Sequence, residues 1–61
     1  MEYKMPTFVT RYANWKMERI MKQEIPTEER NERINKMTRA VVLCQQGLMT
    51  VDDTMEVIAS L

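Results

Sequence analysis

The chain has no histidine, one cysteine, one glycine and two prolines among its 61 residues. Each shortage closes off a class of chemistry. Without histidine there is no imidazole to activate Ser60 or a threonine, and no nitrogen ligand for zinc. With Cys44 alone there is no internal disulfide and no thiolate pair to clasp a metal. A P-loop or a dinucleotide fingerprint needs several glycines, and Gly47 stands alone. No apolar run approaches the roughly 18 residues that cross a bilayer. The opening MEYKM is not followed by the apolar segment of a secretory signal. The expectation is a cytoplasmic protein that is not an enzyme and takes no cofactor, metal or small-molecule substrate. A lone thiol suits a reducing compartment.

Charge of either sign is also not in excess. Nine basic residues balance nine acidic ones, whereas a dedicated nucleic-acid binder carries a basic surplus. The balance is uneven along the chain. Residues 1–24 hold five basic and three acidic groups, and residues 40–61 hold three acids and no base.

What is present is helical pattern. Residues 1–5 read as a flexible tail and 6–61 as a single helical domain. Pro6 suits a first helical turn, and the spacing predicts a helix over 6–23. Ile25-Pro26-Thr27 breaks it, because proline drives the preceding residue out of the helical region. A second helix is predicted over 28–46, with Thr27 as its cap and Glu28 and Glu29 in the dipole-favoured first turn. Gly47 ends it, with Leu48 placed for the apolar contact of a Schellman turn. Thr50 caps a third helix over 51–60, with Asp53 three residues on. Val51, Met55, Ile58 and Leu61 form its expected inner face. The short link makes the second and third helices a hairpin. The fold class is all-α.

The organising stretch is Ile34–Leu48. Ile34, Met37, Val41, Cys44 and Leu48 recur at steps of 3, 4, 3 and 4, a seam that another helix must cover. Ala40–Cys44 is apolar on every side, which normally means burial all round. A chain this short hides only about 60% of its unfolded surface. With no disulfide or metal to staple it, a second subunit is the remaining device. The expected assembly is a homodimer with Ile34, Met37, Val41, Val42, Cys44 and Leu48 at its interface.

The first helix offers two stripes. Phe8, Tyr12 and Trp15 continue into Arg19 and Lys22. Val9, Ala13 and Ile20, with Met17 and Met21 beside them, lie a quarter to a half turn away. Large aromatics at helical spacing usually pack in a core. The other reading is a partner-binding face of Phe8, Tyr12, Trp15, Arg19 and Lys22, since aromatics and arginine dominate binding hot spots. A nucleic-acid reading would use Arg11, Lys16, Arg19, Lys22, Arg30 and Arg33. The third helix cannot serve as a recognition helix, because Asp52, Asp53 and Glu56 would repel phosphate. The acids at 28, 29, 32 and at 52, 53, 56 open helices and need no metal to explain them. Cys44 reads as a buried, inert thiol.

The phrase GLMTVDD, residues 47–53, resembles the turn of short helical hairpins in phage and bacterial proteins. Over residues 34–61 the chain is similar to short oligomerisation hairpins of the SHOCT type. That resemblance implies a docking or assembly hairpin without catalysis. In size and style the whole chain resembles small phage-encoded proteins that bind and block a host protein, inhibitors of anti-phage defence among them. The expected function is therefore a protein-binding inhibitor, with a small nucleic-acid-binding regulator and a structural assembly subunit as alternatives.

Overall fold

Two prolines set the first two helices in the same way. Pro6 (φ −59°, ψ 143°) and Pro26 (φ −57°, ψ 146°) each occupy a cap position, and a threonine follows as the first helical residue. The Pro6 carbonyl accepts from Val9 N–H at 3.2 Å, and the Pro26 carbonyl from Arg30 N–H at 2.9 Å. In this computed structural model, which describes residues 4–61, α1 spans Thr7–Lys22, α2 spans Thr27–Gln45 and α3 spans Val51–Ala59. Of the expected tail, residues 1–3 lie outside the described residues, and Lys4 and Met5 are not helical. Thr27, expected as a cap, lies inside α2 and makes no side-chain cap bond. Proline's fixed φ already suits the cap position, so the helix starts one residue earlier.

The second break follows the sequence reading more closely. Gly47 takes φ 76°, the left-handed region. Leu48 N–H donates to the Leu43 carbonyl at 2.9 Å and Gly47 N–H to the Cys44 carbonyl at 3.0 Å. These are the paired bonds of a Schellman turn. Leu48, expected to make the apolar contact of this turn, is 73% exposed. Thr50 caps α3 by accepting the Asp53 N–H at 3.1 Å.

The helices run up, down and up. The end of α1 meets the start of α2 at Gln23, and the last residue of the chain reaches back to Arg33 of α2. Each helix packs on both others, in a rod of 43 × 17 × 14 Å. The rod form follows from α2, whose 19 residues extend about 28 Å at the helical rise. Val9, Ala13 and Ile20 of α1, Met37, Ala40 and Cys44 of α2, and Thr54 and Ile58 of α3 are buried. Ala13, Met37 and Ile58 form one cluster, with Tyr12, Val41 and Leu61 packed on it.

This core bears on three expectations. Met37 and Cys44, expected at a subunit interface, are closed inside the single chain. The seam on α2 needed covering helices, and α1 and α3 of the same chain supply them. In the segment 40–44, expected at the centre of the molecule or of an oligomer, Ala40 and Cys44 are buried within the chain and Val42 points out, 41% exposed. On α3, Ile58 is buried as expected, but Val51, Met55 and Leu61 are only partly so, and the second buried position is Thr54. A threonine survives there because its hydroxyl donates to the Thr50 carbonyl at 2.8 Å, which satisfies it within the helix.

Candidate functional site

The residues Phe8, Tyr12, Trp15, Arg19 and Lys22 advance by 4, 3, 4 and 3, which lines them up along one edge of α1. The buried stripe Val9, Ala13 and Ile20 lies about 100° around the helix at the helical advance per residue. The aromatics therefore flank the core instead of filling it. Phe8 is 53% exposed and Trp15 49%. Tyr12 divides its surface: half-buried, it packs on the Ala13–Met37–Ile58 cluster. The small or β-branched residues won the inner position, since they let α1 approach its neighbours closely.

The edge is ordered locally. The rings of Tyr12 and Trp15 stack with centroids 5.7 Å apart and planes 15° from parallel. The Arg19 guanidinium lies over the Trp15 ring at 5.0 Å. Tyr12 is one turn before Trp15 and Arg19 one turn after, so the indole has a partner on each side along the helix. Lys22, exposed, ends this line; Arg11 is exposed beside it and Lys16 is half-buried, with Glu18 the acid among them. The edge is cationic and aromatic together.

Two of the six basic residues considered for nucleic acid are committed elsewhere. Arg30 donates to the Gln23 carbonyl at 2.9 Å, stabilising the end of α1, where a cation also suits the helix dipole. Arg33 donates to the Gln23 side-chain oxygen at 3.0 Å, to the Leu61 carbonyl at 3.2 Å and to Glu29 at 2.9 Å. These two residues hold the ends of three segments together. Glu28 and Glu29 stand in the first turn of α2, and Asp52 and Asp53 in that of α3. Among the described residues, no three acidic or cysteine side chains gather where a metal ion could sit. No helix among them is long and apolar enough to cross a membrane.

Of the residues expected at a dimer interface, Ile34 and Val41 are half-buried, and Val42 and Leu48 are exposed. One feature the sequence reading missed lies on the other side of α1. A groove of about 140 Å³ runs between α1 and α2, lined by Thr10, Ala13, Asn14, Met17, Met37, Thr38, Val41 and Val42. Its signal in the sequence is an absence of charge at heptad spacing, which a search for apolar periodicity passes over.

No protein family, curated protein or solved structure matches the chain.

Proposed function

We propose that this chain is a non-enzymatic protein-binding module, engaging its partner through the outer edge of α1 and acting by blocking a host protein in the cytoplasm, as small phage-encoded inhibitors do. The observation that carries the binding reading is the exposed Phe8 and Trp15, with Trp15 held between Tyr12 and Arg19. Tryptophan, tyrosine and arginine are the residue types that dominate interface energetics. A stack already formed in the unbound chain loses less side-chain freedom on binding. The inhibitory role rests on resemblance of size and style, and it requires no cofactor.

A nucleic-acid role draws less support. Arg30 and Arg33 are occupied within the chain, and base stacking needs an open ring face, which Trp15 shares with Tyr12 and Arg19. An assembly-subunit role would draw on the α2–α3 hairpin, whose turn exposes Leu48.

The test is affinity capture from host lysate with the intact chain and with Trp15→Ala. A partner should be retained by the intact chain and lost by the variant, roughly 30-fold or more in affinity for a hot-spot residue. Circular dichroism must show equal helix content in both. A folded variant that captures the same partner equally well sinks the assignment of this edge.

A further inference from the structure

Charge is segregated along this chain. α1 carries Arg11, Lys16, Arg19 and Lys22 against Glu18, while α3 carries Asp52, Asp53 and Glu56 and no base. The ion pairs among the described residues, Glu29–Arg33 at 2.9 Å and Glu32–Lys36 at 3.6 Å, both lie within α2. The cations of α1 are therefore not neutralised by acids of the described residues. Glu18 stands one turn before Lys22 and forms no ion pair with it. Arg11, Arg19 and Lys22 are all exposed.

The aromatic edge runs into a cationic recess. Its volume is about 310 Å³, and Arg19, Lys22 and Gln23 line it. The carbonyl of Gln23 is occupied by Arg30 and its side-chain oxygen by Arg33. The recess thus offers an incoming group the guanidinium of Arg19 and the ammonium of Lys22, which only donate. Arg19 is held in place, its guanidinium 5.0 Å over the Trp15 ring. A guanidinium so held keeps N–H donors at its rim, where a carboxylate takes two of them side by side.

We propose that the edge of α1 takes an acidic protein segment: apolar side chains cover Phe8 and Trp15, and a carboxylate enters the recess between Arg19 and Lys22. The inference rests on the reading of this edge as the binding surface and adds the chemistry of what it binds. Trp15 and Lys22 are two turns apart, about 10 Å along the helix, which sets the distance between the apolar and acidic groups of the partner. A long polyanion fits less well. The chain is neutral overall and exposes Asp52, Asp53 and Glu56, so beyond a Debye length of about 10 Å a nucleic acid gains no net attraction. A short acidic segment reaches only the edge and meets its local charge. A bilayer takes up aromatic rings that are free to sink into it, whereas Tyr12 is packed on the core and Trp15 is bracketed by Tyr12 and Arg19.

Trp15 is the chain's one tryptophan, so its fluorescence reports occupancy of the edge directly. The probe is a tryptophan-free peptide of about 18 residues, long enough as a helix to span Phe8 to Lys22, with leucines along one face and glutamates beside them. A matched peptide carries glutamine in place of glutamate. The acidic peptide should shift the Trp15 emission and saturate. The glutamine peptide should bind about tenfold more weakly, the difference that two or three exposed ion pairs give. Raising the salt from about 0.1 to 1 M should weaken the acidic peptide several-fold and not weaken the glutamine peptide. Arg11→Gln combined with Lys22→Gln should erase most of the difference between the two peptides. Equal binding of both peptides by the intact chain, or no shift by the acidic peptide up to about 1 mM, overturns the proposal. Tighter binding of a single-stranded oligonucleotide or of phosphatidylserine vesicles overturns it as well. Its failure is distinct from failure of the edge itself. A partner captured equally by the intact chain and by the Arg11→Gln, Lys22→Gln variant, but lost with Trp15→Ala, keeps the binding edge and removes its acidic ligand.

Discussion

The two edges of α1 share a helix, a length and a buried stripe, yet differ in every other respect. One carries Phe8, Tyr12, Trp15 and Arg19, stacked on each other and surrounded by cations. The other carries Thr10, Asn14, Met17 and Met21, with no charge. Charge, more than apolarity, separates what each can meet. A cationic aromatic edge repels its own copy and attracts a surface of opposite sign, and its stacked rings add contact area with little ordering left to do. A neutral edge has no long-range electrostatic preference. α1 thus presents three faces of different chemistry: a buried stripe, a cationic aromatic edge and an uncharged edge.

The comparison holds only while the buried stripe fixes the helix between its neighbours. Ile20→Ala should therefore have the largest effect. Ile20 is fully buried, and such truncations cost about 2–5 kcal/mol. A core of this size supplies roughly 3–5 kcal/mol in all, so the variant should be substantially unfolded at 25 °C by circular dichroism. Both edges would be lost together. A variant with unchanged melting would mean that α1 is not anchored by this stripe.

Arg33→Met should rank next, at about 1–2 kcal/mol for hydrogen bonds made by a charged donor, discounted for their partial exposure. Its guanidinium ties Gln23, Glu29 and Leu61. Hydrogen exchange should accelerate at the Lys22 end of α1 more than at the Phe8 end, which loosens one end of each edge selectively. Uniform acceleration along α1 would show that Arg33 stabilises the whole bundle and not that end.

Local chemistry made the helix limits legible. Ile25-Pro26, Gly47 and Thr50 act within a turn of themselves, and the helices begin and end within a residue or so of where those signals put them. The long-range choices were harder to read. Phe8, Tyr12 and Trp15 are as apolar as Val9, Ala13 and Ile20, and only close packing against α2 and α3 decides that the latter go inward. Arg30 and Arg33 look like ordinary surface cations. Arg33's partners at Gln23 and Leu61 lie 10 and 28 residues away in sequence, beyond any local pattern. The burial of Thr54 is not legible in the sequence because a hydroxyl is polar; its bond to the Thr50 carbonyl offsets the penalty of burial. The five residues of the candidate binding edge were legible as a line on a helix wheel. Whether that line faced the core or solvent was not, because the answer depends on where α3 sits.

The finest distinction between the edges is energetic coupling, and it should give the smallest numbers. Residues at i and i+4 on a helix meet, while those at i and i+2 do not. Trp15 and Arg19 are in contact, so a double-mutant cycle of Trp15→Ala with Arg19→Gln should return a coupling of about 0.5–1 kcal/mol, the range of a cation–π pair at an exposed site. Trp15 and Met17 lie on opposite edges, and only Met17 lines the groove. Their cycle, measured by urea denaturation at low concentration where any pairing of copies has dissociated, should close to within about 0.3–0.5 kcal/mol, the limit for independent sites. If the second cycle gave coupling as large as the first, the two edges would be one cooperative surface. Charge would then no longer be a sufficient reason to treat them as separate faces.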